Sequence, residues 1–217
     1  MRKRRTVALV LLAGVLPLLG GAARMTSIVE TRHNLSVSGT GSIKSVNETR
    51  ICIFCHSSHN ASSDGPLWNR ETTSVGKFRT YERETLKSAT RQPNGASKLC
   101  LSCHDGTIAV ASVHNSSRKI LMEGVDATGA IPSANKSNFG IDLSGMHPIS
   151  IPYQQEQALA KSSLRWPPLD ADKDMATDAA GYVQCTSCHD PHGSRSASIP
   201  FWKKETFGQV CNVCHSF

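Results

Sequence analysis

All eight cysteines of this 217-residue chain fall in one five-residue pattern. The four copies are "CIFCH" (Cys52, Cys55, His56), "CLSCH" (Cys100, Cys103, His104), "CTSCH" (Cys185, Cys188, His189) and "CNVCH" (Cys211, Cys214, His215). Two thiols about one helical turn apart reach the same edge of one flat partner. The histidine after the second thiol then swings its imidazole beneath the centre of that partner. C-x-x-C-H is the attachment signature of c-type haem: the thiols add across the two vinyl groups and the histidine is the proximal axial ligand of the iron. Disulfides suit an exported chain, but they do not require a histidine after every second cysteine. Zinc ribbons use C-x-x-C pairs and leave the same histidine unexplained. The pattern predicts four covalently bound haem c groups with no cysteine left over.

Four porphyrins also explain a shortage elsewhere. Aromatic residues make up only 6% of the chain, and Gly, Ser, Asn and Pro are frequent. That is too little apolar bulk for an ordinary core of this length. Porphyrin faces supply it instead, and iron ligation cross-links distant parts of the chain, so order is expected to depend on haem.

The first residues are not part of that fold. "MRKRR" is a basic n-region, "TVALVLLAGVLPLLG" an apolar h-region and "GAA" a small-residue cleavage site, which together read as a secretory signal peptide over 1–23. The apolar run of 15 residues from Thr6 to Gly20 falls short of the roughly 20 needed to span a bilayer. No lipobox cysteine follows it, so no lipid anchor is expected. Arg2, Lys3, Arg4 and Arg5 carry four of the seven net positive charges, leaving +3 on the exported chain. Its remaining Lys and Arg are scattered, which describes a solvated mixed-sign surface rather than a nucleic-acid patch.

An internal repeat sorts the nine histidines. "HSSHNASSDGPLWNRET" follows the first motif and "HDPHGSRSASIPFWKKET" the third. Each runs C-x-x-C-H-x-x-H, a Ser-containing loop, then Pro66-Leu67-Trp68 or Pro200-Phe201-Trp202, and leads to the next motif. Upstream, "HNLSV" from His33 matches "HPISI" from His147. The chain therefore reads as a duplicated dihaem module. Its divisions are 1–23 signal peptide, 24–146 first module with linker, and 147–217 second module. Besides the proximal His56, His104, His189 and His215, the copies hold His33, His59, His147 and His192, which makes eight axial ligands for four bis-histidine irons. His114 has no repeat counterpart and reads as a surface residue. His59 and His192 each lie three residues after a proximal histidine, and so short a segment cannot reach the opposite porphyrin face. Each is expected to serve a neighbouring iron. Met122, Met146 and Met175 also lack repeat counterparts, which favours histidine at every axial position.

Elsewhere "GTIAVASV" and "KILMEGV" read as short strands, "YQQEQALAKSSL" as a short helix ended by "WPPLDADKD", and the motifs as single helical turns. Asp170, Asp172 and Asp174 alternate as at the start of a calcium loop, but the Gly and Glu such a loop needs are missing, which leaves a solvated acidic loop. Trp68 and Trp202 read as haem-packing aromatics. Asn34, Asn47, Asn60, Asn115 and Asn135 head N-x-S/T sequons, weak signals in a Ser- and Asn-rich chain.

The stretches "RHNLSVSGTGSIK", "RICIFCHSSHNA", "LCLSCHDGTIAV", "DLSGMHPIS" and "QCTSCHDPHG" span nearly the whole exported chain. They resemble the multihaem c-type cytochromes, closest to extracellular tetrahaem nanowire subunits of the OmcE-like kind. The resemblance implies a multihaem cytochrome c fold: mostly coil with short helices and few short strands, wrapped around four covalent haems. It also implies bis-histidine haems stacked in a chain and head-to-tail polymers in which an axial histidine of one subunit completes a haem of the next. His33, near the exported N-terminus, is the first candidate for that trans ligand. The expected function is electron conduction to acceptors outside the cell as a filament subunit, with redox partner cytochromes. The alternative is a discrete periplasmic tetrahaem shuttle. A multihaem reductase is disfavoured because catalysis at haem needs an open axial position, and eight ligands close all four irons. No catalytic residue and no nucleic-acid partner are expected.

Overall fold

The computed structural model describes residues 26–216 apart from 74, 90, 161–162, 166–173 and 197. The signal segment and the acidic positions Asp170 and Asp172 lie outside the described residues.

Regular structure is sparse. Among the described residues the helices are α1 (Gly95–His104), α2 (Tyr153–Ala160), α3 (Cys185–Cys188) and α4 (Phe207–Cys214). Short 3-10 turns occupy Ile28–Glu30 and Cys52–Phe54. Two-residue strands pair as antiparallel ribbons: β1 (Lys44–Ser45) with β2 (Met122–Glu123), and β3 (Ile151–Pro152) with β4 (Tyr182–Val183). Loop connects the rest, as the Gly, Ser and Asn content predicts.

Among the described residues the apolar side chains do not gather into one core. Ile53, Phe54 and Ile120 pack beside Cys55, and Phe78 and Leu143 pack on Leu101 inside the second motif. Ile151, Tyr153 and Val183 meet Cys214, and Met175 with Val210 meets Cys188, Trp202 and Cys214. Each small cluster therefore leans on a C-x-x-C-H segment. Separate clusters of this size bury too little surface to offset the chain entropy of such a loop-rich protein. Porphyrin faces between them would supply the missing apolar area.

A buried polar network joins the two halves. Gln184 is 1% exposed; its Oε1 accepts from Ser97 Oγ at 2.6 Å and from Ser150 Oγ at 3.2 Å. Its Nε2 donates to Asn94 Oδ1 and Asp178 Oδ2, both at 2.7 Å. Ser97 Oγ also accepts from the backbone N–H of Cys185 at 3.0 Å, so α1 and α3 are pinned in register. Gly95 opens α1 at φ +46°, and a Cβ there would sit 2.9 Å from Gln184 Nε2. Only glycine combines that backbone with that approach.

Three expectations change. "GTIAVASV" forms no strand: the carbonyls of Ala109 and Val110 accept from the Arg70 guanidinium, which removes them from any ladder. "KILMEGV" contributes only Met122–Glu123. The motifs are not uniformly single turns. The first and third are one short turn each, whereas the second and fourth close the longer helices α1 and α4. α2 covers Tyr153–Ala160 of its predicted stretch. Among the sequon asparagines, Asn34 is fully buried with Nδ2 donating to Val29 O at 3.0 Å, which leaves no access for a glycan.

Candidate haem-binding site

The C-x-x-C-H geometry comes from local backbone. The histidine N–H donates to the carbonyl of the first cysteine in the first, third and fourth motifs, at 2.8, 3.0 and 2.9 Å. This single turn brings both thiols to one side and sends the histidine away from it. None of the eight cysteines is bridged to another. Among the described residues no three His, Cys, Asp or Glu side chains converge as a zinc ribbon would require.

Successive motifs are neighbours. Cys55 interacts electrostatically with Cys103, Cys100 hydrogen bonds Cys185, and Cys188 interacts with Cys211. Burial pushes the Cys55 thiol up to about 12 and Cys188 to about 11. The Cys100 thiol is also raised, while its hydrogen bond holds Cys185 lower, at about 7. Six of the eight motif sulfurs are thus linked in pairs, one by a hydrogen bond and two electrostatically, running from the first motif through the second and third to the fourth.

Three histidine pairs face each other far from their sequence neighbours. His33 and His104 have ring centroids 6.0 Å apart, His56 and His192 6.2 Å, and His147 and His215 6.3 Å. Two imidazoles binding one iron through nitrogens at about 2 Å on opposite faces put their centroids roughly 6 Å apart. The donor set and its spacing therefore fit haem. His56 faces His192 and not His59, consistent with the reach of three residues of chain.

The surrounding hydrogen bonds fix ring orientation. Nδ1 of His33 lies 2.9 Å from Pro191 O, that of His104 2.7 Å from Ser137 O, and that of His147 2.9 Å from Pro148 O. His192 Nδ1 lies 3.2 Å from Asp190 Oδ1, and His189 hydrogen bonds the backbone of Pro200. With Nδ1 donating, the Nε2 lone pair is the one left for a metal. Burial lowers His33 to about 4 and lowers His104, His147 and His189 as well, which keeps them in the neutral form a ligand requires.

His59 and His189 stand apart from this pattern. His59 is exposed, and its carbonyl accepts from Ser57 Oγ at 2.6 Å and Asn115 Nδ2 at 3.0 Å. Among the described residues no histidine ring faces either His59 or His189. His33, expected to reach into a second subunit, instead faces His104 of its own chain and stacks on Phe201 at 4.1 Å. The stack and the Pro191 carbonyl hold it inside the molecule. His114 is exposed and faces no other ring among the described residues.

The two C-x-x-C-H-x-x-H segments also share backbone detail. Trp68 stands edge-on to His56, and Trp202 to His189, each with centroids 6.3 Å apart. Asn69 N–H donates to Cys55 O at 2.9 Å, and Lys203 N–H to Cys188 O at 3.1 Å. Leu67 and Phe201 both adopt positive φ, at 54° and 64°.

Sequence reasoning missed three residues. Phe139 stacks on His104 at 5.0 Å and Phe201 on His33. Phe201 aligns with Leu67 in the repeat, where its conspicuous position beside Trp202 was a usable signal. Arg70 is fully buried although charged, and Trp68 Nε1, Arg70 Nε and Asp105 Oδ2 are buried without a hydrogen-bond partner. All three lie within a few residues of a motif or of its aromatic neighbour, where a cofactor with carboxylate and apolar edges would sit.

No helix among the described residues is long and apolar enough to cross a membrane. No curated protein matches the chain. Residues 179–217 match the family described as the doubled CXXCH motif, a stretch that contains the third and fourth motifs. With two further copies of C-x-x-C-H upstream, that match supports a multihaem c-type cytochrome with covalently bound haem c, an electron carrier by class.

Proposed function

We propose that the chain is a tetrahaem c-type cytochrome acting as the subunit of an extracellular, OmcE-like filament that delivers respiratory electrons to external acceptors. The eight cysteines would hold four haems. His104 with His33, His56 with His192, and His215 with His147 would close three irons. A bis-histidine haem supplies one-electron transfer with no open position for substrate, which favours a carrier over a reductase.

The observation that carries this reading is the mismatch between His59 and His189. His192 of the second copy faces His56, the first motif of the first copy. A two-fold relation between the copies would create the reciprocal pair, His59 facing His189, within the same chain. That pair is not made among the described residues. The copies are therefore related by a head-to-tail step, and continuing that step brings His59 to His189 of a second copy of the chain. Head-to-tail interfaces that do not close generate filaments. The shared Trp edges, positive-φ residues and motif turns support the duplicated dihaem module, with boundaries at 24–146 and 147–217.

Two substitutions separate the ligand roles. His59→Ala is expected to abolish filaments and convert one low-spin haem in four to a form with an open position. His33→Ala is expected to perturb one haem and leave polymerisation intact. Filaments and four low-spin haems in His59→Ala would contradict the trans ligand and move the reading to a discrete shuttle.

A further inference from the structure

The repeat places Arg70 opposite Lys204, two cations in different settings. The Arg70 guanidinium is fully buried. Nη1 donates to Val110 O at 2.5 Å, and Nη2 to Ala109 O at 3.0 Å and Ser102 O at 3.3 Å. Ser102 lies inside the second motif, and Asn69, next to Arg70, is bonded to the first through Cys55 O and Ile53 O. Nε has no partner, and among the described residues no carboxylate forms an ion pair with this guanidinium. Asp105, a buried carboxylate after the second motif, accepts through Oδ1 from Thr107 instead.

Lys204 is different. Its Nζ lies 3.4 Å from Asp174 Oδ2, which also meets Arg195 at 3.5 Å. The adjacent Lys203, which acts on Cys188, is only half-buried. Lys204 and Arg195 therefore share one carboxylate, and Lys203 is partly open to water. Arg70 has only carbonyl dipoles around it, and a buried charge is screened far less than an exposed one.

We propose that Arg70 is a built-in positive charge that raises the reduction potential of the haem on Cys52 and Cys55 above that of its repeat counterpart on Cys185 and Cys188. Uptake of one electron by a haem held there, from a redox partner, would remove one positive charge from it, while Arg70 stays protonated and forms no new bond. A fixed neighbouring cation disfavours the more positive oxidised state, so the reduced state gains. Electrons then dwell preferentially at the first-motif haem, and the duplicated modules are not electrically equivalent. This rests on the tetrahaem reading, which haem content tests separately.

The experiment is spectroelectrochemical titration of the holoprotein, after a pyridine haemochrome assay has counted haems. Fewer than four haems in the wild type would refute the tetrahaem reading itself. With four haems present, Arg70→Gln is expected to shift one of the four midpoint potentials downward, and Arg70→Lys to leave it near the wild-type value. Four unmoved potentials in Arg70→Gln, or an equal shift in Arg70→Lys, would overturn the role of charge. Should Arg70→Gln fail to accumulate, Asp174→Asn decides. Removing the carboxylate beside Lys204 is expected to shift a second-module potential upward, and four unchanged potentials would overturn the proposal.

Discussion

Glu48 illustrates how single side chains hold loops where few elements exist. It is 2% exposed, and its carboxylate accepts from Arg50 N at 2.8 Å, Nε at 2.9 Å and Nη2 at 2.7 Å. The Arg50 hydrogen bonds lower Glu48 from its ordinary 4.5 to about 2. A depressed carboxylate stabilises the fold fully above its ordinary value and loses that contribution as pH falls through the depressed one. Because Arg50 is half-exposed, solvent screening reduces the effect to about 1–2 kcal/mol. Glu48→Gln is expected to lower the unfolding free energy from urea titration at pH 7 by that amount, with the difference from wild type shrinking below pH 4.5 and gone near pH 2. A pH-independent difference would show that shape, not charge, is what Glu48 supplies. At this scale the sequence was informative about which residues matter. Spacing alone identified the motif cysteines and the eight repeated histidines. Which ring faces which was not readable, since His56 and His192 belong to opposite copies and meet only through loop geometry. The Phe201 stack and the Pro191 carbonyl around His33 were unreadable for the same reason.

The elements were less legible than the residues because tertiary hydrogen bonds override local preference. "GTIAVASV" has strand composition, but Arg70, nearly 40 positions earlier, takes two of its carbonyls. The motif turns differ in length because the second and fourth motifs terminate helices with their own starts. α4 begins at a Thr206–Gln209 capping box, whereas α1 begins at Gly95 beneath Gln184. Gln184 is the hinge of this level, since it holds α1 against α3 where the Cys100 and Cys185 sulfurs meet. Gln184→Leu removes five side-chain hydrogen bonds and leaves Asn94 and Asp178 short of a donor. Roughly 1–3 kcal/mol is lost per polar group stranded in the interior, so this substitution is expected to cost at least that much in chemical denaturation. A midpoint equal to wild type would mean that haem attachment alone sets the register of the two helices.

At the scale of the molecule, the small apolar clusters each touch a motif, and no continuous core connects them among the described residues. The haem-free chain is therefore expected to lack a cooperative thermal transition and most of its helical circular dichroism. A sharp calorimetric transition in a haem-free preparation would contradict the view that porphyrins organise the fold. The lack of one apolar core was readable from composition. How the histidines pair was not, because it depends on loop geometry. The measurement that tests the central claim most directly is electron cryo-microscopy of the native haem-bearing protein from sheared extracellular material. Regular filaments with His59 of one subunit opposite His189 of the next are the predicted result. Monodisperse particles in which one chain supplies all eight axial ligands would contradict it.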